Sequence, residues 1–289
     1  MKIFHHNDND GYAAAAVLYN FFFTENDNKL KENFISVNYN DSIPTADRVE
    51  KDEAVFIVDY SFTEATVHNL YEISKKTDGK VYWYDHHKSS LEVYDKVIKD
   101  GICIEAIVDI DRSGAKIVYD IYGHQCGIDN YVIDLVDDYD RWIHNYPESM
   151  WFNVGSAMED THPASPIWTE DPFKIIKNGK LIKEYNDAKN SRIVKNNGYE
   201  ITINGHKCIV LNTPERSSQS FAEYFDQYKF AIVWSFNGDT YTHSIYSSLE
   251  DIDCSKIAKY FNPAGGGHKG AAGFVSYKLI FTEGLEFVI

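Results

Sequence analysis

The stretch VYWYDHHKSS (residues 81–90) places one acid and two histidines directly after four apolar residues. The run VYWY is short and rich in residues that favour strands, so it predicts a buried strand. Two adjacent imidazoles after a strand point in different directions, so one of His86 and His87 can bind a metal ion while the other contacts a substrate. A strand that ends in this way carries its ionisable groups to one edge of a sheet.

The same pattern follows three other apolar runs in the first half of the chain. The four runs are KIFHH (2–6), AVFIV (54–58), VYWY (81–84) and ICIEAIV (102–108), and acid or imidazole side chains follow each of them. Helical patterns follow the first, second and fourth of these runs, at 11–22, 65–76 and 113–122. This alternation predicts an α/β domain with a parallel sheet and helices on both of its faces. Ligands bind beyond the carboxyl ends of such strands, so the polar clusters should converge on one crevice.

The second half of the chain has a different pattern. A helical stretch at 131–144 precedes a proline-containing segment at 145–170, which indicates a crossing segment. Residues 171–198 predict a helix that is interrupted at Asn178 and Gly179. The elements after it are short strands at 199–205, 206–212, 230–236 and 240–247, and a helix at 254–261. We therefore predict a domain at 1–150, a linker with a helix at 151–198, and a smaller mixed α+β domain at 199–289.

Composition restricts the class of protein. With 289 residues, 44% of them hydrophobic, the chain can bury one large core or two ordinary ones. No run approaches the roughly 18 apolar residues that cross a bilayer, and no secretory signal is visible, so we expect a cytoplasmic protein without a membrane partner. The four scattered cysteines indicate neither a zinc knuckle nor a disulfide framework. The formal net charge of -16 disfavours long nucleic acid but allows a small phosphorylated substrate held by bound cations.

The segment HHNDNDG (5–11) offers ligands for a hard metal ion. His6, Asp8 and Asp10 alternate along it, and oxygen and imidazole donors at this density suit Mn²⁺ or Mg²⁺. A solvated turn accounts for the same residues equally well. Asp59 ends the run AVFIVD, where a carboxylate is costly unless it is paired, coordinated or used as the cap of the next helix.

The segment LVDDYDRW supplies Asp137, Asp138 and Asp140 on a predicted helix. Three negative charges so close together repel one another unless a cation neutralises part of the charge. A solvated acidic face is the alternative. Of the three acids we favour Asp138 as a metal ligand.

The only glycine-dense stretch is GGGHKGAAG (265–273). Without side chains in the way, the backbone N–H groups of its glycines can approach an anion, while His268 and Lys269 add donors and charge. A hairpin loop is the alternative. The small residues that follow favour a substrate-binding loop, made of Gly265, Gly266, Gly267, His268 and Lys269.

Taken together, these motifs resemble the DHH phosphoesterase family with its DHH-associated C-terminal domain. The motifs are HxDxDG, the Asp that ends the next strand, DHH, the Asp-rich segment, and GGGHK followed by AAGF. The resemblance spans nearly the whole chain. It implies a larger N-terminal α/β domain that holds two metal ions, a linker, and a smaller domain that binds substrate across a cleft. The implied ligands are His6, Asp8 and Asp59 for one ion, and Asp10, Asp59, His86 and Asp138 for the other.

The resemblance also implies roles for the neighbouring residues. His87 resembles the histidine that faces the substrate phosphate, Asp85 resembles the acid that orients an imidazole, and the loop with His268 resembles the one that grips the nucleotide. Two departures stand out. The first histidine lies two residues before Asp8 rather than four, so His5 is a substitute for His6. The strand that often carries an arginine matches Ser244, Ile245, Tyr246 and Ser247 here. Three alternatives stay open: Arg216 contacts the terminal phosphate, Lys269 does, or the contact is absent.

The implied activity is a two-metal hydrolysis of phosphodiesters with Mn²⁺, or Mg²⁺ as the alternative. Expected substrates are short oligonucleotides and small nucleotides: nanoRNA, short single-stranded DNA, pAp, and cyclic or linear dinucleotides. Long duplex nucleic acid is not expected as a partner. The alternatives are a manganese-dependent pyrophosphatase or exopolyphosphatase that uses the same centre, and a protein that binds nucleotides without cleaving them.

Overall fold

The first half of the chain forms a sheet of five parallel strands. In this computed structural model the described residues are 1–23, 32–39, 42–214, 218–247, 252–267, 269–282 and 284–288. The strands are β1 (Lys2–His6), β2 (Phe34–Val37), β3 (Val55–Val58), β4 (Val81–Asp85) and β5 (Glu105–Val108). They are arranged in the order β2-β1-β3-β4-β5, and every neighbouring pair is parallel. The predicted α/β class with a parallel sheet is confirmed.

Helices cover both faces of this sheet. The helices up to residue 197 are α1 (Asn9–Phe22), α2 (Val67–Lys76), α3 (Lys88–Lys99), α4 (Gly114–Tyr122), α5 (Asn130–Asp140), α6 (Pro147–Ser156) and α7 (Phe173–Asn197). Successive side chains of a strand point to opposite faces. In β3, Phe56 and Val58 pack into the core that includes α1 and α4, whereas Val55 and Ile57 pack into the core that includes α2 and α3. The apolar runs of the sequence are continuous because both faces of each strand are buried.

The proline and glycine signals of the second half have a different meaning from the predicted one. Pro147 does not mark irregular chain but begins α6, at the helical position where a missing N–H costs least. Gly179 does not interrupt α7, which runs unbroken from Phe173 to Asn197. A Cβ atom at Gly179 would lie 1.7 Å from the carbonyl oxygen of Trp151, so this glycine lets α6 and α7 approach closely. No pattern in the sequence predicted β2, α3 or α6.

The last third of the chain forms a mixed sheet. Its strands are β6 (Tyr199–Ile203), β7 (His206–Asn212), β8 (Phe230–Phe236), β9 (Tyr241–Tyr246), β10 (Gly266–Gly267), β11 (Ala271–Ser276) and β12 (Glu286–Phe287), with helix α8 at Cys254–Phe261. The order is β10-β11-β9-β8-β7-β6-β12, with parallel pairing of β7 with β8 and of β12 with β6. The predicted mixed C-terminal domain is confirmed.

The described chain divides into two compact units, Met1–Lys183 and Glu184–Ile289. The point of division lies inside α7, so one continuous helix contributes residues to both units. The domain limits at residues 150 and 198 stay predictions. Over the described ranges, no helix has both the length and the apolar character that crossing a bilayer requires.

His243 in β9 is a buried imidazole in the core of the second unit. The residue is 0% exposed, and its ring stacks on that of Phe274 with centroids 4.5 Å apart. Neither ring nitrogen has a well-formed hydrogen bond to another described residue. Burial lowers the pKa of His243 to about 4, and the neighbouring backbone of Phe274 and Tyr241 offsets only part of that effect.

We expect His243→Phe to stabilise the second unit in acid. The folded-state pKa of about 4 lies below the ordinary histidine value near 6.5, so the unfolded chain binds more protons between these values. The free energy of unfolding is therefore unaffected by the titration of His243 above its ordinary pKa near 6.5, and it decreases as the pH falls from there toward the folded-state pKa of about 4. The loss at about pH 5 is on the order of 2 kcal/mol, and phenylalanine keeps the stacking without titrating. Urea unfolding at about pH 5 and about pH 7.5 measures the difference.

His206→Phe is the matched control, because His206 is exposed in the same unit. Its unfolding should keep the pH dependence of the wild type. If His243→Phe also kept that dependence, the assignment of the acid sensitivity to His243 would be wrong.

Candidate metal centre

The predicted site residues lie at the carboxyl ends of three adjacent strands. His6 ends β1, Asp59 follows β3, and His86 follows β4. Because β2 and β3 lie on opposite sides of β1, the chain reverses its strand order at β1 and β3. Open α/β sheets bind ligands in the crevice at such a reversal. The expected convergence therefore has a cause in the strand order.

Asp8 lies where β1 leads into α1. Its Oδ1 accepts a hydrogen bond of 3.0 Å from the N–H of Gly11, which caps the helix, and its Oδ2 lies 2.6 Å from Nδ1 of His6. Burial alone would raise the pKa of Asp8, but the hydrogen bonds and charge around it, His6 foremost, bring that pKa down to about 2. A Cβ atom at Gly11 would lie 2.3 Å from the carbonyl oxygen of His6. Glycine is needed at position 11 for this close approach of helix and strand.

His6, rather than His5, faces the acids. Nδ1 of His6 lies 3.8 Å from Oδ2 of Asp59 as well as next to Asp8. The ring of His5 is buried, and its Nδ1 lies 2.8 Å from the carbonyl oxygen of His6. Burial lowers the pKa of His5 to about 4, so its ring is neutral near pH 7. His5 is therefore a core residue in this structure.

Asp10 is buried against the start of α4. Its two oxygens accept hydrogen bonds from the N–H groups of Gly114, at 2.7 Å, and Ala115, at 2.9 Å. Burial raises the pKa of Asp10, which the charge of His86 partly opposes. A Cβ atom at Gly114 would lie 2.7 Å from Cβ of Asp59 and 3.0 Å from Oδ2 of Asp10. The absence of a side chain at position 114 therefore lets the N-terminus of α4 reach both acids.

Asp59 is the most constrained acid of the site. It is 1% exposed and has a φ of 54°, in the left-handed region that non-glycine residues seldom adopt. Neither carboxylate oxygen has a hydrogen-bond partner among the described residues. Burial raises the pKa of Asp59 well above its usual value, and the charges of Asp10, Asp8, Asp85 and Asp140 add to this. A strained backbone and unsatisfied buried oxygens are typical of a functional position.

His86 faces three carboxylates at once. Its Nε2 lies 3.2 Å from Oδ1 of Asp59, 3.3 Å from Oδ2 of Asp140 and 3.6 Å from Oδ2 of Asp10. These contacts lack hydrogen-bond geometry, since the oxygens of Asp59 and Oδ2 of Asp140 have no partner within the described chain. Burial, with the charges of Asp10 and Asp8, raises the pKa of Asp140 to about 8. The atoms converge without bonding to one another, as the ligands of a shared cation do.

Asp85 orients His87 rather than His86. The buried Asp85 lies with its Oδ1 2.8 Å from Nδ1 of His87, and its Oδ2 accepts a short hydrogen bond from the hydroxyl of Ser90. Burial alone would lower the pKa of His87, but the hydrogen bond and charge of Asp85 raise it overall. This carboxylate fixes the ring and keeps a proton on Nδ1, which leaves Nε2 to face outward.

The structure moves the proposed ligand of α5 from Asp138 to Asp140. The carboxylate of Asp138 accepts hydrogen bonds from the N–H groups of Asn145, at 2.7 Å, and Tyr146, at 3.2 Å. Two residues along an α-helix differ by about 200° in direction, so Asp138 and Asp140 cannot face the same site. Asp137 lies nearer the Asp140 side but is engaged by the N–H of Ser113 at 2.6 Å. The geometry therefore favours Asp140 over Asp138, and the choice between these two acids stays a proposal.

The remaining acids and imidazoles fit two adjoining divalent cations. Within the described ranges, three groups have ligand atoms that all lie within 4.8 Å of one another: His6, Asp8 and Asp59; Asp59, His86 and His87; Asp10, His86 and Asp140. Asp59 is shared by two groups, and so is His86. Carboxylate and imidazole donors suit Mn²⁺ and related ions, and the unpaired buried carboxylates need positive charge. The chemistry of the donors therefore fits a two-metal centre, in which the individual ligands are our proposal.

The glycine-dense stretch forms an edge hairpin of the second sheet. Gly266 and Gly267 in β10 pair with Gly273 and Ala272 of β11. Gly267 has a φ of 142°, and a Cβ atom there would lie 2.6 Å from the carbonyl oxygen of Ala271. Of the other predicted loop residues, Gly265 is buried and Lys269 is exposed. His268 and Arg216 lie outside the described residues, so substrate binding by this loop stays a prediction.

Tyr39 is a residue of the site that the sequence did not single out. Its hydroxyl lies 3.5 Å from Nε2 of His87 and accepts a hydrogen bond of 3.3 Å from the N–H of Ser61. Its ring stacks on that of Tyr60, with centroids 5.1 Å apart. Tyr39 lies in irregular chain after β2 and is one of 21 tyrosines, so no pattern in the sequence marks it.

Comparison with known proteins adds evidence on the fold. No family model and no curated protein matches the chain. The solved pGpG-specific phosphodiesterase PggH from Vibrio cholerae matches with a TM-score of 0.60 and 13% identity, over 96% of this chain and 93% of that one. An exopolyphosphatase-related protein from Bacteroides fragilis matches with a TM-score of 0.53 and 13% identity, over 96% and 87% of the two chains. Exonuclease RecJ bound to manganese matches with a TM-score of 0.51 and 13% identity, over 94% and 84%.

These likenesses extend over nearly the whole of each chain. At 13% identity they show the fold alone. They confirm the two-domain fold that the resemblance to the DHH phosphoesterases implies.

We expect Asp140→Asn and Asp138→Asn to differ in their effect on metal binding. Asp140→Asn removes a charge that faces His86 and Asp10, so the affinity for one Mn²⁺ should fall. The fall should be at least about tenfold, because losing a residue that only supports a metal ligand already costs about that much. Asp138→Asn should keep both affinities and lose about 1–3 kcal/mol of unfolding free energy, because one of the two oxygens that accept from the N–H groups of Asn145 and Tyr146 becomes an NH2 group that cannot accept. Calorimetric titration of Mn²⁺ and urea unfolding measure the two effects.

The pair is matched, because both substitutions replace an acid of α5 by its amide. The reverse result, a lost ion in Asp138→Asn and unchanged binding in Asp140→Asn, would return Asp138 to the ligand set.

Proposed function

We propose that the protein is a two-metal phosphodiesterase that hydrolyses short oligonucleotides or small dinucleotides to mononucleotides. The observation that carries the proposal is the state of Asp59. This acid is buried, strained, without a hydrogen-bond partner in the described chain, and common to two of the three ligand groups. Burying an unpaired carboxylate costs free energy of folding, and a purely structural role does not account for that cost. It is useful where it joins two cations.

The fold comparisons support the reaction class. The solved structures that share the fold include a protein named as a pGpG-specific phosphodiesterase and an exonuclease bound to manganese. Both names describe proteins that cleave phosphodiester bonds. We therefore take phosphodiester hydrolysis, with Mn²⁺ as the preferred ion and Mg²⁺ as the alternative, as the activity of this chain.

The side chains of the centre have separable tasks. When bound, two divalent cations supply a hydroxide nucleophile near neutral pH and positive charge beside the phosphoryl oxygens. His6 and Asp8 would hold one ion, and Asp10, His86 and Asp140 the other, with Asp59 between them. These acids are fixed before any ligand arrives, because helix N-termini and strand ends hold Asp8, Asp10 and Asp59 in place.

His87 is suited to the substrate phosphate. Asp85 holds a proton on its Nδ1 and raises the pKa of the ring, which favours the imidazolium form. Nε2 then carries a second proton and can donate it in a hydrogen bond to a phosphoryl oxygen. His87 is only partly buried, so that a substrate can reach this atom. Asp85 and Ser90 act through His87 and do not contact the phosphate in this proposal.

The charge of the chain favours a small substrate. With a formal net charge of -16, the protein cannot attract a long polyanion by general electrostatics. Local cations at the metal centre can still bind one or two phosphates. The loop at 265–269 stays our proposed substrate-binding loop of the second unit, with Lys269 exposed there.

We expect Asp59→Asn to abolish turnover of pApA in the presence of Mn²⁺. Asparagine keeps the shape and tolerates the left-handed φ of Asp59 but removes the charge. Loss of a charge that holds both ions should cost several kcal/mol of transition-state stabilisation, which is roughly a 1,000-fold loss of rate. Release of mononucleotide, followed by chromatography, measures it.

Asp78→Asn is the matched control, because Asp78 is an exposed acid of the same unit with the same φ of 54°. It should leave turnover unchanged. The same assay with a cyclic dinucleotide, a short RNA and pyrophosphate separates the alternatives. If pyrophosphate were the only compound of the panel to be hydrolysed, the result would support the pyrophosphatase. Tight binding of nucleotides without any product would support the protein that binds nucleotides without cleaving them. Full turnover of pApA by Asp59→Asn would overturn the role of Asp59.

A further inference from the structure

The chain that leaves the metal centre after Asp140 forms a strained aromatic loop. Helix α5 ends at Asp140, and Trp142 and His144 follow it with φ values of 57° and 55°. Residues other than glycine pay about 1–3 kcal/mol each for this conformation, so it persists only where the surroundings impose it. Trp142 is also 68% exposed, which leaves most of its indole in water. Neither the strain nor the exposure serves the packing of the core.

Asp138 is the residue that imposes the loop conformation. Its carbonyl oxygen accepts hydrogen bonds from the N–H groups of Ile143, at 3.0 Å, and His144, at 3.4 Å. Its carboxylate accepts from Asn145, at 2.7 Å, and Tyr146, at 3.2 Å. One buried acid therefore binds four successive N–H groups. The loop is built to hold its rings in a fixed position.

The rings of this loop continue to the wall of a cavity beside the metal ligands. The ring centroids of Trp142 and His144 lie 5.3 Å apart, and those of His144 and Tyr139 lie 6.2 Å apart, both nearly edge to face. Tyr139 lines a cavity of about 140 Å³ together with Asp10 and Asp140. The three rings thus form an aromatic row that starts at the ligands of one proposed cation and ends at an exposed indole.

We propose that this aromatic row, Tyr139–His144–Trp142, is a stacking site for a nucleobase of the substrate, with Trp142 as the residue that contacts the base. The inference rests on the proposed function, since it places the base of a nucleotide whose phosphate lies at the cations. A base stacked on an aromatic side chain gains about 1–3 kcal/mol, and every base offers such a face. The site therefore selects nucleotides over base-free phosphodiesters without selecting a sequence.

The charge distribution explains why stacking is the recognition available here. The nearest guanidinium of the loop, that of Arg141, is paired with Asp137 at 3.2 Å, so its charge is already neutralised. A chain with a net charge of -16 has little other attraction to offer a nucleotide outside the cations. Stacking does not depend on net charge. It adds affinity for the base while the cations bind the phosphate.

The test compares pApA with the same dinucleotide backbone lacking both bases. Loss of about 1–3 kcal/mol of stacking corresponds to a fall of roughly 5- to 150-fold. We expect Trp142→Ala to lower the ratio of kcat/KM for pApA to kcat/KM for the abasic compound by this factor. Trp142→Phe should restore most of the ratio. Phe22→Ala is the control, because Phe22 is a 41% exposed aromatic residue at the far end of α1, about 20 Å along the helix from Asp8.

A binding measurement separates this inference from the proposed function. In the wild type, mixed rapidly with substrate in the presence of Mn²⁺, pApA should quench the fluorescence of Trp142 before product forms. The abasic compound should not quench it, and Trp142→Phe should remove the quenching. If pApA quenched the fluorescence but the wild type did not cleave it, the proposed phosphodiesterase activity would be wrong and the proposed stacking site would be supported. Turnover with an unchanged ratio in Trp142→Ala, or an equal loss for both compounds, would keep the phosphodiesterase and overturn the stacking site.

Discussion

Mutual repulsion among carboxylates at the carboxyl edge of the first sheet is the constraint on which the rest of this unit depends. Two unit charges 4 Å apart repel by about 4 kcal/mol at an effective dielectric constant of 20. Asp59 lies among four other acids, and its oxygens make no hydrogen bond within the described chain. Such a group is stable only if protons or cations neutralise it. The raised pKa values of Asp59 and Asp140 mean that protons neutralise these acids more readily than usual. Bound divalent ions would neutralise them in place of protons. Metal loading and the stability of the fold are thereby linked.

Two helices reduce the same repulsion from the other side. The N-termini of α1 and α4 carry partial positive charge, and their N–H groups bind Asp8 and Asp10 directly. This requires the helices to approach the strand ends more closely than a Cβ atom allows, which explains Gly11 and Gly114. Each of these glycines is therefore part of the electrostatics of the site. An alanine at either position would push a helix start away from the acid that it stabilises.

The sequence predicted the sheet well because its strands are buried on both faces, which makes them continuous apolar runs such as AVFIV and VYWY. It missed β2, which has only four residues, and α6, which begins with Pro147, a residue that reads as a break. It also missed α3, although that helix has 12 residues. The separation of Asp138 from Asp140 could be read from the sequence, because helical periodicity places Asp138 with the buried Leu135 and on the opposite side from Asp140. The left-handed φ values of Asp59 and Trp142 have no local sequence signal. Tertiary contacts impose them.

Helix α5 joins the metal centre to the aromatic row. Asp140 points to the proposed cations, whereas Asp138, about 200° away around the helix, binds the N–H groups of the following loop. The proposed position of the phosphate and the position of Trp142 are thus both set from the last turn of one helix. A substrate recognised at these two points needs only one nucleotide and its phosphate within reach. Recognition over so short a length does not require the basic surface that a long nucleic acid needs, and it is therefore compatible with a net charge of -16.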